Sequence, residues 1–160
     1  YSIRGEQYVA VLVGWGGIWA LAPPGFLSEV GGPVRNISRL LVFKLGGTAR
    51  LPPEPPFSRP PLNPPAVTGS AELIADGGRQ YGRFCAVCHG DAAYGSTLVP
   101  DLRRSGELAD GAAWAIIVHG GALKDRGMVS FANVLDPQQI ESIRLYVIKR
   151  ANEDKALGAE

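Results

Sequence analysis

Two cysteines and a histidine stand together in the pattern C-x-x-C-H, formed by Cys85, Cys88 and His89. On a short helix the two thiols lie about one turn apart, where both can reach the vinyl groups of one porphyrin. The adjacent imidazole then enters an axial position of the iron. The motif is specific, because each residue type is required in its own place. It therefore predicts a covalently bound c-type haem.

Other chemistries of a C-x-x-C pair fit this chain less well. Zinc requires four ligands, and the remaining soft or imidazole donors are His119 and Met128, whose thioether is a poor zinc ligand. A thioredoxin-type redox pair needs a βαβ context, whereas the residues around Cys85 have a helical pattern and Gly90 follows the histidine. Two cysteines cannot form a disulfide framework. Zinc and a redox pair stay as alternatives to haem.

The second axial ligand is predicted downstream, in a loop that crosses the other face of the haem. Met128 is the chain's single methionine, and it follows Gly127 in a glycine-flanked segment between two predicted helices. A lone methionine more often fills a gap in a core, but beside a haem motif we expect it to bind iron. The rival ligand is His119, at the end of an apolar helical turn, where a packed or capping histidine is commoner. The predicted iron ligands are thus His89 and Met128.

Three helices are predicted after residue 66. The first covers residues 70–84 and has Glu72 in its first turn, where a negative charge complements the helix dipole. The second runs from an Asp110 cap to His119 and is ended by two glycines. The third begins with a capping box and carries an apolar stripe. The residues behind these assignments are Thr68 or Ser70 as the first cap, Gly120 and Gly121, and Asp136, Pro137, Gln139, Ile140, Ile143, Val147 and Ala151.

The first fifty residues have a different pattern. Residues 7–14 and 38–45 are rich in β-branched and aromatic residues and predict two buried strands. A two-stranded ribbon is marginal in water, so another part of a protein must cover its apolar faces. Eight of the thirteen prolines then fall between Pro52 and Pro65, too densely for a helix or a central strand. We therefore divide the chain into strands at 1–50, a proline-rich linker at 51–66 and a helical domain at 67–155.

Charge and hydropathy bear on partners and location. The net charge of +1 with no basic stripe argues against nucleic acid. The uncharged run 8–26 approaches the ~20 residues that a bilayer requires, but glycines and prolines interrupt it and no Lys or Arg pair flanks it closely, so we predict no membrane span. The sequence opens at Tyr1 without a readable signal peptide. Because c-type haem is attached outside the bacterial cytoplasm, we expect an export signal upstream and a periplasmic protein.

Residues 70–152 resemble a class I cytochrome c domain. Gly77 and Tyr81 lie where that family places a small residue and an aromatic at the crossing of its first and last helices, and Ile143 and Tyr146 match its last helix. The small residue lets the two helices approach closely, and the aromatic side chains fill the crossing. The resemblance implies a mainly α fold around one haem.

The same resemblance assigns roles to three further residues. Pro100, eleven residues after His89, matches the family proline whose carbonyl accepts the free imidazole N–H and so orients the ring. Arg103 and Trp114 are candidate partners of the haem propionates. An ordinary surface arginine and core tryptophan are the equally weighted alternatives.

Two stretches of the first fifty residues resemble the final strands of the eight-bladed propeller in pyrroloquinoline quinone alcohol dehydrogenases: YSIRGEQYVAVLVGWGG, and RLLVFKLGG followed by ARLPP. In the soluble quinohaemoprotein members a proline-containing linker leads to a C-terminal cytochrome c domain, which the strings FCAVCHGDAAYGSTLVPDLRRS and GMVSF resemble most closely. The fold expected is therefore a class I cytochrome c domain preceded by a short β remnant of a propeller.

This family implies a parent enzyme with pyrroloquinoline quinone and calcium in a propeller domain missing from this chain. There an alcohol is oxidised, and electrons pass singly to the haem and on to a small soluble redox protein or a quinone. We assign no catalytic residue; Gly16 and Gly17 fall where the family's chain passes near the quinone, but a close strand turn explains them equally. The alternative is a freestanding or membrane-tethered monohaem electron carrier.

Overall fold

The computed structural model describes residues 1–14, 37–53, 59–95 and 99–158. A small antiparallel sheet occupies the N-terminal part, and helices follow the proline-rich segment. Gly16, Gly17, most of the uncharged run 8–26 and residues 54–58 of the predicted linker lie outside the described residues.

Three strands form the sheet in the order β1-β2-β3. They are β1 (Ser2–Ile3), β2 (Glu6–Val13) and β3 (Arg39–Lys44), with β2 and β3 antiparallel in a register that pairs Tyr8 with Lys44. The two predicted strands are confirmed, whereas β1 is too short to produce a sequence pattern. Both faces of the sheet are open in the described residues: the Leu12 side chain on one face is 85% exposed and Phe43 on the other is 55% exposed. The strands were expected to be buried, whereas most of their side chains are exposed among the described residues.

The helical part contains α1 (Ala71–Phe84), α2 (Ala86–His89), α3 (Gly111–Val118) and α4 (Pro137–Ala156). Short 3₁₀ turns lie at Asp91–Ala93, Leu102–Arg104, Gly106–Ala109 and Lys124–Arg126. The predicted N-caps are confirmed: the Ser70 hydroxyl accepts from the Leu73 N–H, the Asp110 carboxylate accepts from two N–H groups, and Asp136 and Gln139 form a capping box. Among the described helices, none combines the length and apolar character that crossing a bilayer demands.

Helices α1 and α4 cross at Gly77, as the family resemblance predicted. A Cβ atom on Gly77 would lie 1.9 Å from the Ser142 carbonyl oxygen, so only a glycine allows the two backbones to come this close. The rings of Tyr81 and Tyr146 pack beside the crossing with their centroids 5.3 Å apart. The apolar stripe of α4 is buried along its full length, at Ile140, Ile143, Val147 and Ala151.

Replacing Gly77 with Ala is expected to destabilise the domain by about 1–3 kcal/mol or more, because the added methyl group forces α1 away from α4. Gly82 on the same helix is the matched control: a Cβ there meets no atom within 4 Å, so Gly82→Ala should gain up to about 1 kcal/mol of helix propensity. Denaturant unfolding followed by circular dichroism measures both. Equal midpoints for wild type and Gly77→Ala would show that the crossing is looser than described.

The second half of the predicted linker packs against the helical domain. Leu62 is buried, the Pro65 carbonyl accepts a hydrogen bond of 2.9 Å from the Asn152 side chain, and the Pro60 carbonyl accepts one from Arg104. Residues 60–65 are thus tied to α4 and to the 3₁₀ turn at Leu102–Arg104. The domain limits stay a prediction, and these contacts favour a start of the helical domain at Pro60 rather than at residue 67.

Candidate haem site

The C-x-x-C-H motif lies on a single helical turn at the end of α1. Cys85 is the C-cap residue of α1, and its N–H donates to the Tyr81 carbonyl at 2.8 Å. The Cys85 carbonyl in turn accepts from the N–H groups of Cys88 and His89 at 3.1 and 2.9 Å. Both thiols are free; Cys85 is buried and Cys88 is exposed. This is the arrangement predicted from the spacing, with two thiols and an imidazole presented by one turn.

The environment of Cys85 disfavours a reactive redox pair. Burial, and secondarily the neighbouring Cys88, raises the pKa of the Cys85 thiol to about 12. A thioredoxin-type cysteine instead needs a thiolate that forms near neutral pH. The zinc alternative lacks support as well, because in the part of the chain that the structure describes no three His, Cys, Asp or Glu side chains meet to bind a metal.

His89 is buried and its ring orientation is fixed. The ring Nδ1 lies 3.1 Å from the Pro100 carbonyl oxygen, which is the contact predicted for Pro100. A carbonyl oxygen only accepts, so Nδ1 carries the proton and Nε2 keeps a free lone pair. Burial lowers the pKa of His89, while the hydrogen bond to the Pro100 carbonyl acts in the opposite direction. Burial thus favours the neutral imidazole, the form that binds iron.

Two neighbouring contacts hold the backbone around His89. The Tyr81 hydroxyl donates to the Gly90 carbonyl at 2.7 Å, which joins α1 to the residue after the histidine. The Gly95 N–H donates to the His89 carbonyl at 2.7 Å. Gly95 has a φ of +63°, and a Cβ there would lie 2.5 Å from the Asp101 nitrogen. A glycine is therefore required where the chain folds back onto the Pro100–Asp101 peptide.

The loop that carries Met128 approaches the motif through two aromatic rings. Phe131, three residues after Met128, packs edge-on against Phe84 with centroids 6.1 Å apart, and Phe84 directly precedes Cys85. Gly127 is in the left-handed region with φ +93°, which turns the chain, and the half-buried Met128 packs against the core. The structure thus brings the Met128 loop and the cysteine motif together.

His119 ends helix α3 and is half-buried. Its carbonyl accepts a hydrogen bond of 2.5 Å from the Ser130 hydroxyl, and the preceding Val118 carbonyl accepts from the Phe131 N–H at 2.9 Å. The backbone at the end of α3 therefore anchors the Met128 loop. This matches the capping role considered for His119, and the choice of Met128 as iron ligand stays a prediction.

Comparison with known proteins shows which proteins this chain is similar to. Residues 72–147 match the family described as cytochrome c oxidase, cbb3-type, subunit III. Two enzymes match over 96% of this chain: quinohemoprotein alcohol dehydrogenase ADH IIB of Pseudomonas putida at 42% identity, and the dehydrogenase subunit of the quinone alcohol dehydrogenase of Acetobacter aceti at 40%. The solved quinohemoprotein alcohol dehydrogenase ADHIIG of Pseudomonas putida HK5 superposes with a TM-score of 0.78 and 35% identity over 98% of the chain.

The chain is similar to the C-terminal cytochrome part of quinohaemoprotein alcohol dehydrogenases. It spans about a fifth of the length of these relatives, 22% of ADH IIB and 20% of the Acetobacter aceti subunit. The expected fold, a helical cytochrome c domain preceded by a short antiparallel strand segment, is confirmed.

A cytochrome c domain implies haem c, and the side chains present fit that group. Two unpaired thiols on one helical turn suit two thioether bonds, and the Pro100 carbonyl leaves only Nε2 of His89 for the iron. A thioether in the facing loop suits the sixth position. The individual assignments of Cys85, Cys88, His89 and Met128 stay predictions.

The two predicted propionate partners have other contacts within the cytochrome c domain. The Trp114 indole N–H, its only polar group, donates to the Ile140 carbonyl at 3.3 Å, and the side chain is buried in the core. Arg103 is 1% exposed and donates to the carboxylates of Asp101 and Asp154. Because the single N–H donor of Trp114 is used in this contact, the structure favours the core alternative, and the propionate role of Trp114 stays a prediction. Arg103 has three of its five N–H groups in these contacts.

Sequence reasoning missed the carboxylates that surround Arg103. Asp154 lies seven residues after Val147 and three after Ala151, which places it on the buried stripe of α4, where it is 3% exposed. A carboxylate that continues an apolar helical stripe is a signal of a buried ion pair. Arg144 on the same helix is also largely buried, because its side chain is only 14% exposed and donates to the Leu108 carbonyl.

Proposed function

We propose that this chain relays single electrons through a haem c attached to Cys85 and Cys88, with His89 and Met128 as the axial ligands. The observation that carries the proposal is the hydrogen bond between His89 Nδ1 and the Pro100 carbonyl, which orients a buried imidazole beside two free thiols on one helical turn. When bound, haem iron supplies a one-electron couple, and histidine–methionine ligation raises its reduction potential.

The chain's own residues would position the haem and prevent other reactions, such as oxygen binding, at the iron. The thiols of Cys85 and Cys88 fix the porphyrin, and the Pro100 carbonyl raises the basicity of the His89 ring. Met128 would supply a second protein ligand, and a haem iron held by both His89 and Met128 would be suited to electron transfer rather than to binding oxygen. The buried stripe of α4 excludes water behind the site, which keeps the environment of the iron fixed between the two oxidation states.

The source of the electrons is proposed from the relatives. Their names describe quinone-dependent alcohol dehydrogenases, so we propose that electrons come from pyrroloquinoline quinone, held with calcium in a propeller domain, after oxidation of an alcohol. The open sheet formed by β1, β2 and β3 supports this, because apolar side chains on both faces need a cover such as neighbouring propeller strands. The acceptor would be a small soluble redox protein or a quinone, and the site of action the periplasm, where c-type haem is attached.

A redox titration of the chain, produced with the haem maturation machinery, tests this function. The alkaline pyridine haemochrome spectrum should show a c-type haem, and the visible bands should follow a one-electron curve, with a tenfold change in ratio for each 59 mV. His89→Ala should lose the native spectrum, whereas His119→Ala should keep it. A protein that takes up no haem, or that keeps its native spectrum without His89, would contradict the proposal.

A further inference from the structure

We infer that Arg103 is a positioning residue for the axial histidine: it fixes the Pro100–Asp101 peptide, whose carbonyl oxygen accepts the ring N–H of His89. The inference rests on the proposed role of His89 as an iron ligand and goes beyond it. In the part of the chain that the structure describes, no hydrogen bond joins Arg103 to the His89 imidazole or to the cysteines. Its effect on His89 would pass through the Pro100–Asp101 peptide, because Arg103 holds Asp101 and the Pro100 carbonyl holds the imidazole.

The guanidinium holds Asp101 in a fork. Arg103 Nε lies 2.9 Å from Asp101 Oδ1 and Nη2 lies 2.6 Å from Oδ2, while the backbone N–H of Arg103 donates to Oδ1 at 3.1 Å. Two parallel bonds from a planar fork fix both distance and angle. Asp101 follows Pro100 directly, so a fixed Asp101 also fixes the plane of the peptide that carries the Pro100 carbonyl.

The fork is itself anchored to the rest of the domain. Arg103 Nη1 lies 2.9 Å from Asp154 Oδ2 on helix α4, and its guanidinium carbon lies 3.4 Å from the centre of the Tyr94 ring. The Pro100–Asp101 peptide also lies against Gly95, whose N–H bonds to the His89 carbonyl. The peptide is therefore held both by the Arg103–Asp101 fork and by the backbone after His89.

Stability alone gives a poor account of this cluster. Arg103 is 1% exposed and pairs with the carboxylates of Asp101 and Asp154. A second arginine pairs with each carboxylate: Arg104 Nε lies 3.2 Å from Asp101 Oδ2, and Arg150 Nη2 lies 3.3 Å from Asp154 Oδ1. Buried ion pairs are often no more stabilising than apolar residues of the same size, because the charges lose their hydration. Their clearest contribution is to impose one geometry, and the geometry imposed here is that of the carbonyl facing His89.

Arg103→Lys tests the inference, because lysine keeps the charge but cannot form the planar fork. With Pro100 less firmly held, its bond to His89 weakens, the imidazole donates less to ferric iron, and the potential should rise. Replacing a residue that supports a metal ligand changes the affinity of the ligand for the metal by roughly tenfold or more. If the affinity for ferric iron falls roughly tenfold relative to that for ferrous iron, the reduction potential rises by about 59 mV. The His89 Nδ1–H, followed by NMR, should also exchange faster with solvent.

Arg144→Lys is the matched control. Arg144 makes the same fork to Glu141, at 2.8 and 2.6 Å, and donates to the Leu108 carbonyl, but it has no recorded contact with the Pro100–Asp101 peptide. Its replacement should leave the potential and the Nδ1–H exchange unchanged. Equal shifts in both variants, or none in Arg103→Lys, would overturn the inference.

A second variant keeps the test decisive if Arg103→Lys fails to fold. Asp154→Glu retains the charge and displaces only the far anchor of Arg103, so it should give smaller shifts of the same sign; no shift would again overturn the inference. Failure of the wild-type protein to ligate haem through His89 would instead refute the proposed function. A wild type that ligates through His89 while these variants remain silent would refute the positioning role alone.

Discussion

Replacing Met128 with Ala is expected to open the sixth coordination position of the iron. The weak near-infrared charge-transfer band from sulfur to ferric iron should disappear, because that band requires the thioether. The reduction potential should fall, since methionine ligation raises it. The reduced protein should change from no binding of carbon monoxide to one molecule per haem, which a difference spectrum measures.

His119→Ala is the control for the Met128 variant. The contacts that tie His119 to the Met128 loop come from its backbone carbonyl, which accepts from the Ser130 hydroxyl, and alanine keeps that carbonyl. All three properties should therefore stay close to those of the wild type. If the His119 variant loses the native spectrum while the Met128 variant keeps it, the haem has two histidine ligands and the assignment of Met128 is wrong.

Removing both attachment residues is the second change with a large expected effect. In Cys85→Ala, Cys88→Ala no thioether bond can form, so all haem should leave the protein on extraction with acidified acetone. Wild-type protein should keep all of its haem in the same treatment. Cys85→Ala alone is the control, because one remaining thioether at Cys88 should hold the haem covalently.

The helices of this domain were predictable because their signals are local. Ser70, Asp110 and Asp136 accept hydrogen bonds from the first turns that follow them, and the spacing of Ile140, Ile143 and Val147 places them on one face of α4. Such features depend on residues fewer than eight positions apart. The haem motif was predictable for the same reason, since one helical turn contains all of it.

The features that the sequence did not reveal depend on tertiary contacts. Arg103 and Asp154 are 51 positions apart and meet only when α4 packs against the turn after Pro100. Trp114 was assigned to a propionate or to the core with equal weight, and the Ile140 carbonyl that favours the core lies 26 positions away. The crossing at Gly77 was predicted only through the family resemblance, because spacing alone does not say which glycine faces another helix.

The central claim, a haem held covalently by the C-x-x-C-H turn, is tested most directly by peptide mass spectrometry. Chain produced with the haem maturation machinery and digested with a protease should yield a peptide spanning residues 84–89 that carries the mass of one haem on Cys85 and Cys88. Two unmodified thiols in that peptide, from protein that has passed through haem maturation, would contradict the account.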